Sequence, residues 1–129
     1  MNTQKQIEYW IQASEFDWAT ANDIFNSGKN FHLCLFMCHL TLEKILKAIV
    51  IKITGYFPPK THNLLRLAEL SKLDLTDDEI NFFEELNQFQ LETRYPDEKL
   101  SIYKIATKDF TFEKINKVRD AREWLMLKI

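Results

Sequence analysis

An all-α fold, specifically an antiparallel, up-and-down bundle of about five helices in one domain spanning residues 1–129, is what this sequence predicts. Three observations carry the prediction. Two glycines and three prolines occur in 129 residues, against roughly 15 expected from average usage, which leaves too little turn chemistry for a many-stranded sheet. Apolar residues recur at steps of three and four along most of the chain. Thr, Asn and Gly residues stand where helices need to begin and end. With 46% apolar and 28% charged residues, the chain is long enough to bury a core without metal or disulfide staples.

Each element follows from this periodicity. Residues 4–27 place Ile7, Trp10, Ile11, Ser14, Trp18, Ala21 and Phe25 on one side of a first helix, with Gly28 as its C-cap. From Phe31 to about Thr54 nearly every turn is apolar all round, so this second helix belongs at the centre of a bundle; Gly55 and Pro58–Pro59 end it. Asn63 caps a short third helix to about Leu73. Thr76-Asp77-Asp78-Glu79 is a capping box that opens a fourth helix carrying Ile80, Phe83, Leu86 and Leu91, expected to stop before Pro96. Residues 95–110 read as a loop. Thr111 is expected to cap the last helix, to about Lys128, with Phe110 and Ile115 as its hydrophobic staple.

Seventeen Lys and Arg against nineteen Asp and Glu give a net charge of −2, so any nucleic-acid binding must rest on a local patch. The longest apolar stretch, Ile45–Ile53, is interrupted by Lys47 and Lys52, and Met1–Lys5 is polar with no signal-like apolar block behind it. The expectation is a cytoplasmic protein without a membrane segment. Cys34 and Cys38 fall on one helical face as reduced thiols. A zinc site would need two further ligands, and His39 points about 100° away from Cys38, so neither a metal nor another cofactor is expected.

Function should show where the pattern that folding prefers is broken, because buried polar groups are costly unless paired. Asp17 falls inside the apolar arc of the first helix and needs a cationic or donor partner. On the second helix His32, His39, Glu43 and Lys47 lie within about 60–80° of one another, with Lys44 beside them. This strip has two readings. In one, Glu43 and Lys47 form an i,i+4 pair and Asp17 bridges to Lys44 or Lys47. In the other, Lys44, Lys47 and the histidines line a pocket for an anion, oriented by the acids. The third break is Thr93-Arg94-Tyr95-Pro96, where Arg94 offers forked donors for phosphate and Tyr95 a stacking face or a hydroxyl. A structural account is also open there, with an arginine at a helix C-terminus and a tyrosine packed on the bundle.

Taken in order, these segments resemble the HEPN domain family over nearly the whole chain. The first helix carries Trp10, Asp17 and Ala21. The second carries Glu43-Lys44-Ile45-Leu46-Lys47-Ala48, similar to the family's Glu-Lys-x-x-Lys-Ala helix. Pro59-Lys60-Thr61-His62 is similar to its Pro-x-Thr-His turn, and Arg94-Tyr95-Pro96 to its Arg-Tyr-Pro exit. The resemblance implies an antiparallel bundle that forms homodimers, binds nucleotide or RNA, and acts beside a nucleotidyltransferase-like partner as a toxin–antitoxin pair. Catalytic members are metal-independent ribonucleases with Arg, four to six residues, then His. From Arg94 that histidine would fall at Lys99, Leu100 or Ser101, so the ribonuclease signature is incomplete.

The expectation is therefore a non-catalytic module, with no catalytic residue assigned and a ligand site drawn from Arg94, Tyr95, Lys44, Lys47, His62, Asp17 and Glu43. One alternative is a ribonuclease with a displaced proton carrier, His62 or Tyr103, beside Arg94. Another is a purely structural interaction bundle, with Trp124 as a contact residue near Arg119 and Arg122.

Overall fold

The most apolar helix sits where its composition requires. In the computed structural model, which describes residues 2–129, α2 (Phe31–Thr54) is touched by α1 (Thr3–Ser27), α3 (Leu64–Leu70), α4 (Asp77–Asn87), α5 (Pro96–Ile105) and α6 (Lys108–Met126). Leu35, Leu42, Ile45, Leu46 and Ile49 of α2 are withdrawn from solvent. They form one core with Leu64, Leu67, Phe83, Phe89 and Leu125. The described residues form six helices and no strand, plus a single 3-10 turn at Leu91–Thr93. The class is all-helical as expected, with one more helix than the sequence suggested.

The pairing of α1 with α2 follows from a tight turn. Gly28 takes a left-handed conformation (φ 75°) and its N–H closes on the Phe25 carbonyl, a geometry that costs glycine nothing. Phe25 then packs on Phe31, Asp17 pairs with Lys44, and Trp10 lies under Lys47. Residue numbers fall along one helix as they rise along the other, so the two run antiparallel. α6 closes the far side. Arg119 and Arg122 lie over Trp18 at 5.8 and 5.0 Å, and Trp124 stacks on Phe83 with an interplanar angle of 7°. Trp124 is thus a packing residue between α4 and α6, and the two arginines turn away from it toward α1.

The segment from 88 to 110 departs from the sequence expectation. α4 stops at Asn87, well before Pro96, because Phe89 turns inward to pack on Phe110 and the N–H groups of Gln88, Phe89 and Gln90 close onto carbonyls three residues back. Residues 95–110, expected as a loop, contain α5. Pro96 occupies its first turn, where a missing N–H is harmless, and the Glu98 carboxylate accepts from the Tyr95 backbone N–H at 3.3 Å. The same proline that ends one helix starts the next. α6 begins one turn earlier than expected: Thr107, not Thr111, is its N-cap, accepting from the Phe110 N–H at 3.2 Å. Thr111 is buried inside the helix, and Phe110 packs on Phe89 instead of stapling to Ile115.

The two threonines therefore have opposite mutational signatures. Thr107→Ala should lower unfolding free energy by about 1 kcal/mol through loss of the cap. Thr111→Val should cost little or nothing, because the buried Thr111 hydroxyl has no partner to lose. Urea denaturation followed by circular dichroism checks both. A larger cost at Thr111 than at Thr107 would contradict the assignment.

Candidate functional site

His39, Glu43 and Lys47 stand at successive i,i+4 positions of α2, so their side chains rise one above another on one helix face. All three are buried. The Glu43 carboxylate is the centre of the group. Lys47 Nζ donates to Oε2 at 3.0 Å, and His62 Nδ1, from the turn after α2, lies 3.0 Å from Oε1. Because a carboxylate only accepts, that geometry puts the proton of His62 on Nδ1 and leaves Nε2 as the free ring nitrogen. Lys47 also lies over the Trp10 ring at 5.2 Å. Its charge is spent inside the bundle, not offered to a ligand.

Asn87, the last residue of α4, ties this group to the neighbouring elements. Asn63 Oδ1 caps α3 by accepting from the Leu65 and Arg66 N–H groups, so Asn87 Nδ2 must be the donor in the 3.0 Å contact between the two side chains. Asn87 Oδ1 is then fixed as an acceptor, taking the Leu64 N–H at 2.9 Å and facing His39 Nε2 at 3.3 Å. The network thus assigns the proton of His39 to Nε2 and leaves Nδ1 bare, 3.7 Å from Glu43. Burial holds this imidazole below the ordinary value of 6.5 against the opposing pull of the Glu43 charge.

Arg94, just past the 3-10 turn, reaches the same place from the other side. Its Nη2 donates to the Asn87 carbonyl at 3.1 Å, and Nη1 lies 3.4 Å from Glu98. Arg94 and His62 line one cleft together with Asn63, Asn87, Gln90 and Thr93. Its volume is about 210 Å³, below the roughly 300–1,000 Å³ of sites for drug-sized molecules, and suited to a phosphate-sized group. Arg94 also walls a second hollow, lined by Gln88, Glu98, Ser101, Ile102 and Ile105.

The sequence-nominated residues thus divide. His62 and Arg94 share the first cleft, with Glu43 behind His62 and Lys47 behind Glu43. Asp17 and Lys44 do not join them; they pair with each other at 2.5 Å across the α1–α2 seam, and neither lines the cleft. Spacing alone could not make that split, although Lys44 stands about 100° from Glu43 on α2. Tyr95 caps α5 and is 74% exposed, outside both hollows. Tyr103 lies against His32, with ring centroids 4.0 Å apart, and also lines neither. Asn87 and Gln90 were missed, because polar residues near a helix C-terminus carry no sequence signal of their own. Cys34 and Cys38 are buried free thiols, and no cluster of potential metal ligands exists among the described residues.

A helical bundle with a polar cleft at the α4–α5 junction is thus the class of protein defined by fold and site. The HEPN domain model matches residues 7–129, and the chain belongs to that family. Among solved structures, TT1696 from Thermus thermophilus is similar over 100% of both chains, with a TM-score of 0.78 at 19% sequence identity. At that identity the likeness speaks for the fold alone. No curated protein matches the chain. No described helix is long and apolar enough to cross a membrane.

Two measurements test the network. Asn87→Ala leaves the Leu64 N–H and the α3 cap without their partner and should cost about 1–3 kcal/mol in urea denaturation. For His39, the unfolded chain binds a proton more readily than the folded one. Its contribution to stability is therefore full above pH 6.5 and declines as pH falls through that value toward the lower folded one. The urea midpoint of His39→Gln should change less than that of the wild type between about pH 7 and about pH 5; equal slopes would contradict the buried neutral imidazole.

Proposed function

We propose that this chain is a non-catalytic HEPN module that binds a phosphate of a nucleotide or RNA in the cleft between His62 and Arg94. The carrying observation is the convergence, from elements 32 residues apart in sequence, of a forked guanidinium and a carboxylate-held imidazole on one phosphate-sized cleft. Arginine suits a tetrahedral oxyanion because its donors lie in a fixed fork. The family's ribonuclease spacing allows its histidine at 101, and in this chain Ser101 lines the second hollow together with Arg94, with no imidazole there to carry a proton. The module acts as a homodimer, alongside a nucleotidyltransferase-like partner of the toxin–antitoxin kind. Family membership supports that part of the reading.

A second reading has a specific observation behind it. Glu43 orients His62 so that Nε2 is free beside Arg94, the pairing a proton carrier needs next to a charge that neutralises phosphate. On this reading Nε2 takes the proton of a ribose 2′-hydroxyl, whose oxygen attacks the adjacent phosphorus to form a 2′,3′-cyclic phosphate while the P–O5′ bond breaks and the departing 5′-oxygen takes a proton from water.

One set of experiments separates the two. Fluorescence anisotropy with a short single-stranded oligoribonucleotide should show at least about tenfold weaker binding for Arg94→Ala, the scale of one charge-assisted contact. Its melting temperature should fall only a few degrees, since what is lost is a partly exposed hydrogen bond to the Asn87 carbonyl and a surface pair with Glu98. Unchanged affinity would overturn the cleft assignment. Wild-type and His62→Ala proteins incubated with RNA and EDTA should give no cleavage beyond background. Cleavage that disappears with His62→Ala would establish the second reading instead. Sedimentation velocity with and without RNA reads the dimer.

A further inference from the structure

The cleft contains a donor that nothing in the bundle uses. Gln90 is 3% exposed, and its Oε1 accepts from the Glu92 N–H at 2.9 Å, which fixes the amide with Nε2 on the opposite side. That Nε2 is buried and has no hydrogen-bond partner. Four residues on, Arg94 Nε is also buried and unpartnered. Both residues line the His62 cleft, at the two ends of the 3-10 turn Leu91–Thr93. Buried polar groups in folded proteins almost always find a partner, because an unmade bond forfeits solvation with nothing in return. Two buried N–H donors left open at the two ends of one short turn, on residues that both line one cleft, call for an acceptor that the chain itself lacks.

We infer that Gln90 is a binding residue of this cleft and that the group it takes is a phosphoryl oxyanion held from two sides, by Gln90 Nε2 from the buried side and by the Arg94 guanidinium, with His62 at the rim of the cleft. The inference rests on the phosphate reading of the cleft and adds to it the residue that sets the geometry. An oxyanion with several oxygens satisfies donors that diverge, whereas a single carbonyl satisfies one or two. The acids nearby do not close the site. Glu43 is turned to Lys47 and His62, and Glu98 lies 3.4 Å from the outer Nη1 of Arg94, away from Nε. The turn is anchored independently of the ligand, since Thr93 Oγ1 donates to the Gln90 carbonyl at 3.1 Å and Arg94 Nη2 to that of Asn87. Gln90 is thus held in place before anything binds.

The oxyanion has two sources, a terminal phosphate or an internal phosphodiester, and the test includes both. Inorganic phosphate, a nucleoside monophosphate, and a short oligoribonucleotide with and without a 5′-phosphate are titrated into the wild type, Arg94→Ala, Gln90→Glu and Gln90→Met. Gln90→Glu keeps the shape and the acceptor to Glu92 but replaces the donor with an anion. It should weaken every phosphoryl probe that binds at least about tenfold, and Gln90→Met by several-fold. Preference for the 5′-phosphorylated oligomer over the plain one identifies a terminal phosphate as the source; equal binding identifies the diester. In the wild type itself, the Gln90 side-chain amide resonances in a ¹⁵N–¹H spectrum should shift on adding inorganic phosphate, a readout that does not depend on any variant folding. If the wild type binds and Arg94→Ala does not, while Gln90→Glu binds normally and the Gln90 amide stays still, the inference fails and the cleft reading stands. If the wild type binds none of the probes, both fail.

Discussion

A carboxylate buried in the middle of the most apolar helix is the constraint around which this bundle is arranged. Glu43 is 3% exposed, and an ion in that position is tolerated only with charge and hydrogen bonds around it. Lys47 supplies charge from the next turn of the same helix. His62 supplies a donor from the turn that leaves α2, which pins that turn and so fixes where Asn63 can begin α3. Asn63 in turn sets the rotamer of Asn87, and Asn87 receives Arg94 on its carbonyl. A single buried charge is thus linked through His62, Asn63 and Asn87 to Arg94 in the wall of a cleft, about 50 residues further along the chain. Removing one partner from such a chain does more than delete its own contact, because the remaining members are left buried without compensation.

That linkage also explains why Arg94 is available. Its guanidinium is positioned by a neutral carbonyl, with the acid Glu98 touching only one of its terminal nitrogens. An arginine clamped in a bidentate carboxylate pair would have to give up that pair to take a ligand. Lys44, by contrast, is in such a position: its amine is held by Asp17, and the pair joins α1 to α2. The two cations look alike in the sequence. They differ in how much of the cationic group a carboxylate already takes: the whole amine of Lys44, but one terminal nitrogen of Arg94.

The strongly periodic part of the chain was legible. The ends of α1 and α2, the Asn63 cap and the Thr76–Glu79 capping box all announce themselves through residues whose roles are local. The interval 88–110 was not, because its structure is decided by tertiary packing. Phe89 and Phe110 meet in the core and pull the chain inward on both sides of α5, so α4 ends early and Thr107, not Thr111, caps α6. Pro96 was read as a stop when it is also a start, although Asp97 and Glu98 behind it favour a helix N-terminus. For the site, the i,i+4 spacing exposed Glu43 with Lys47 and the odd placement of Asp17. It carried no information on which strip residues meet Arg94 in space. Gln90 was invisible for a simpler reason: an unpaired amide is defined by the absence of a partner, and only coordinates reveal that.

The charge distribution limits what the cleft can do alone. The chain carries −2 overall, and the fixed positive charge at the cleft is the Arg94 guanidinium, enough to neutralise about one phosphate. For single-stranded nucleic acid the salt slope is about −0.7 per phosphate neutralised, so on the proposed reading one copy would gain little from counterion release and would read a phosphate chiefly through geometry. Tight association with a long RNA then requires a second contact surface linked to the first. The proposed homodimer would supply one directly, since two such clefts on a rigid dimer would raise the effective concentration at the second site without any new side chain. The slightly negative net charge and the small cleft together favour an assembly whose affinity comes from combining sites, not from enlarging one.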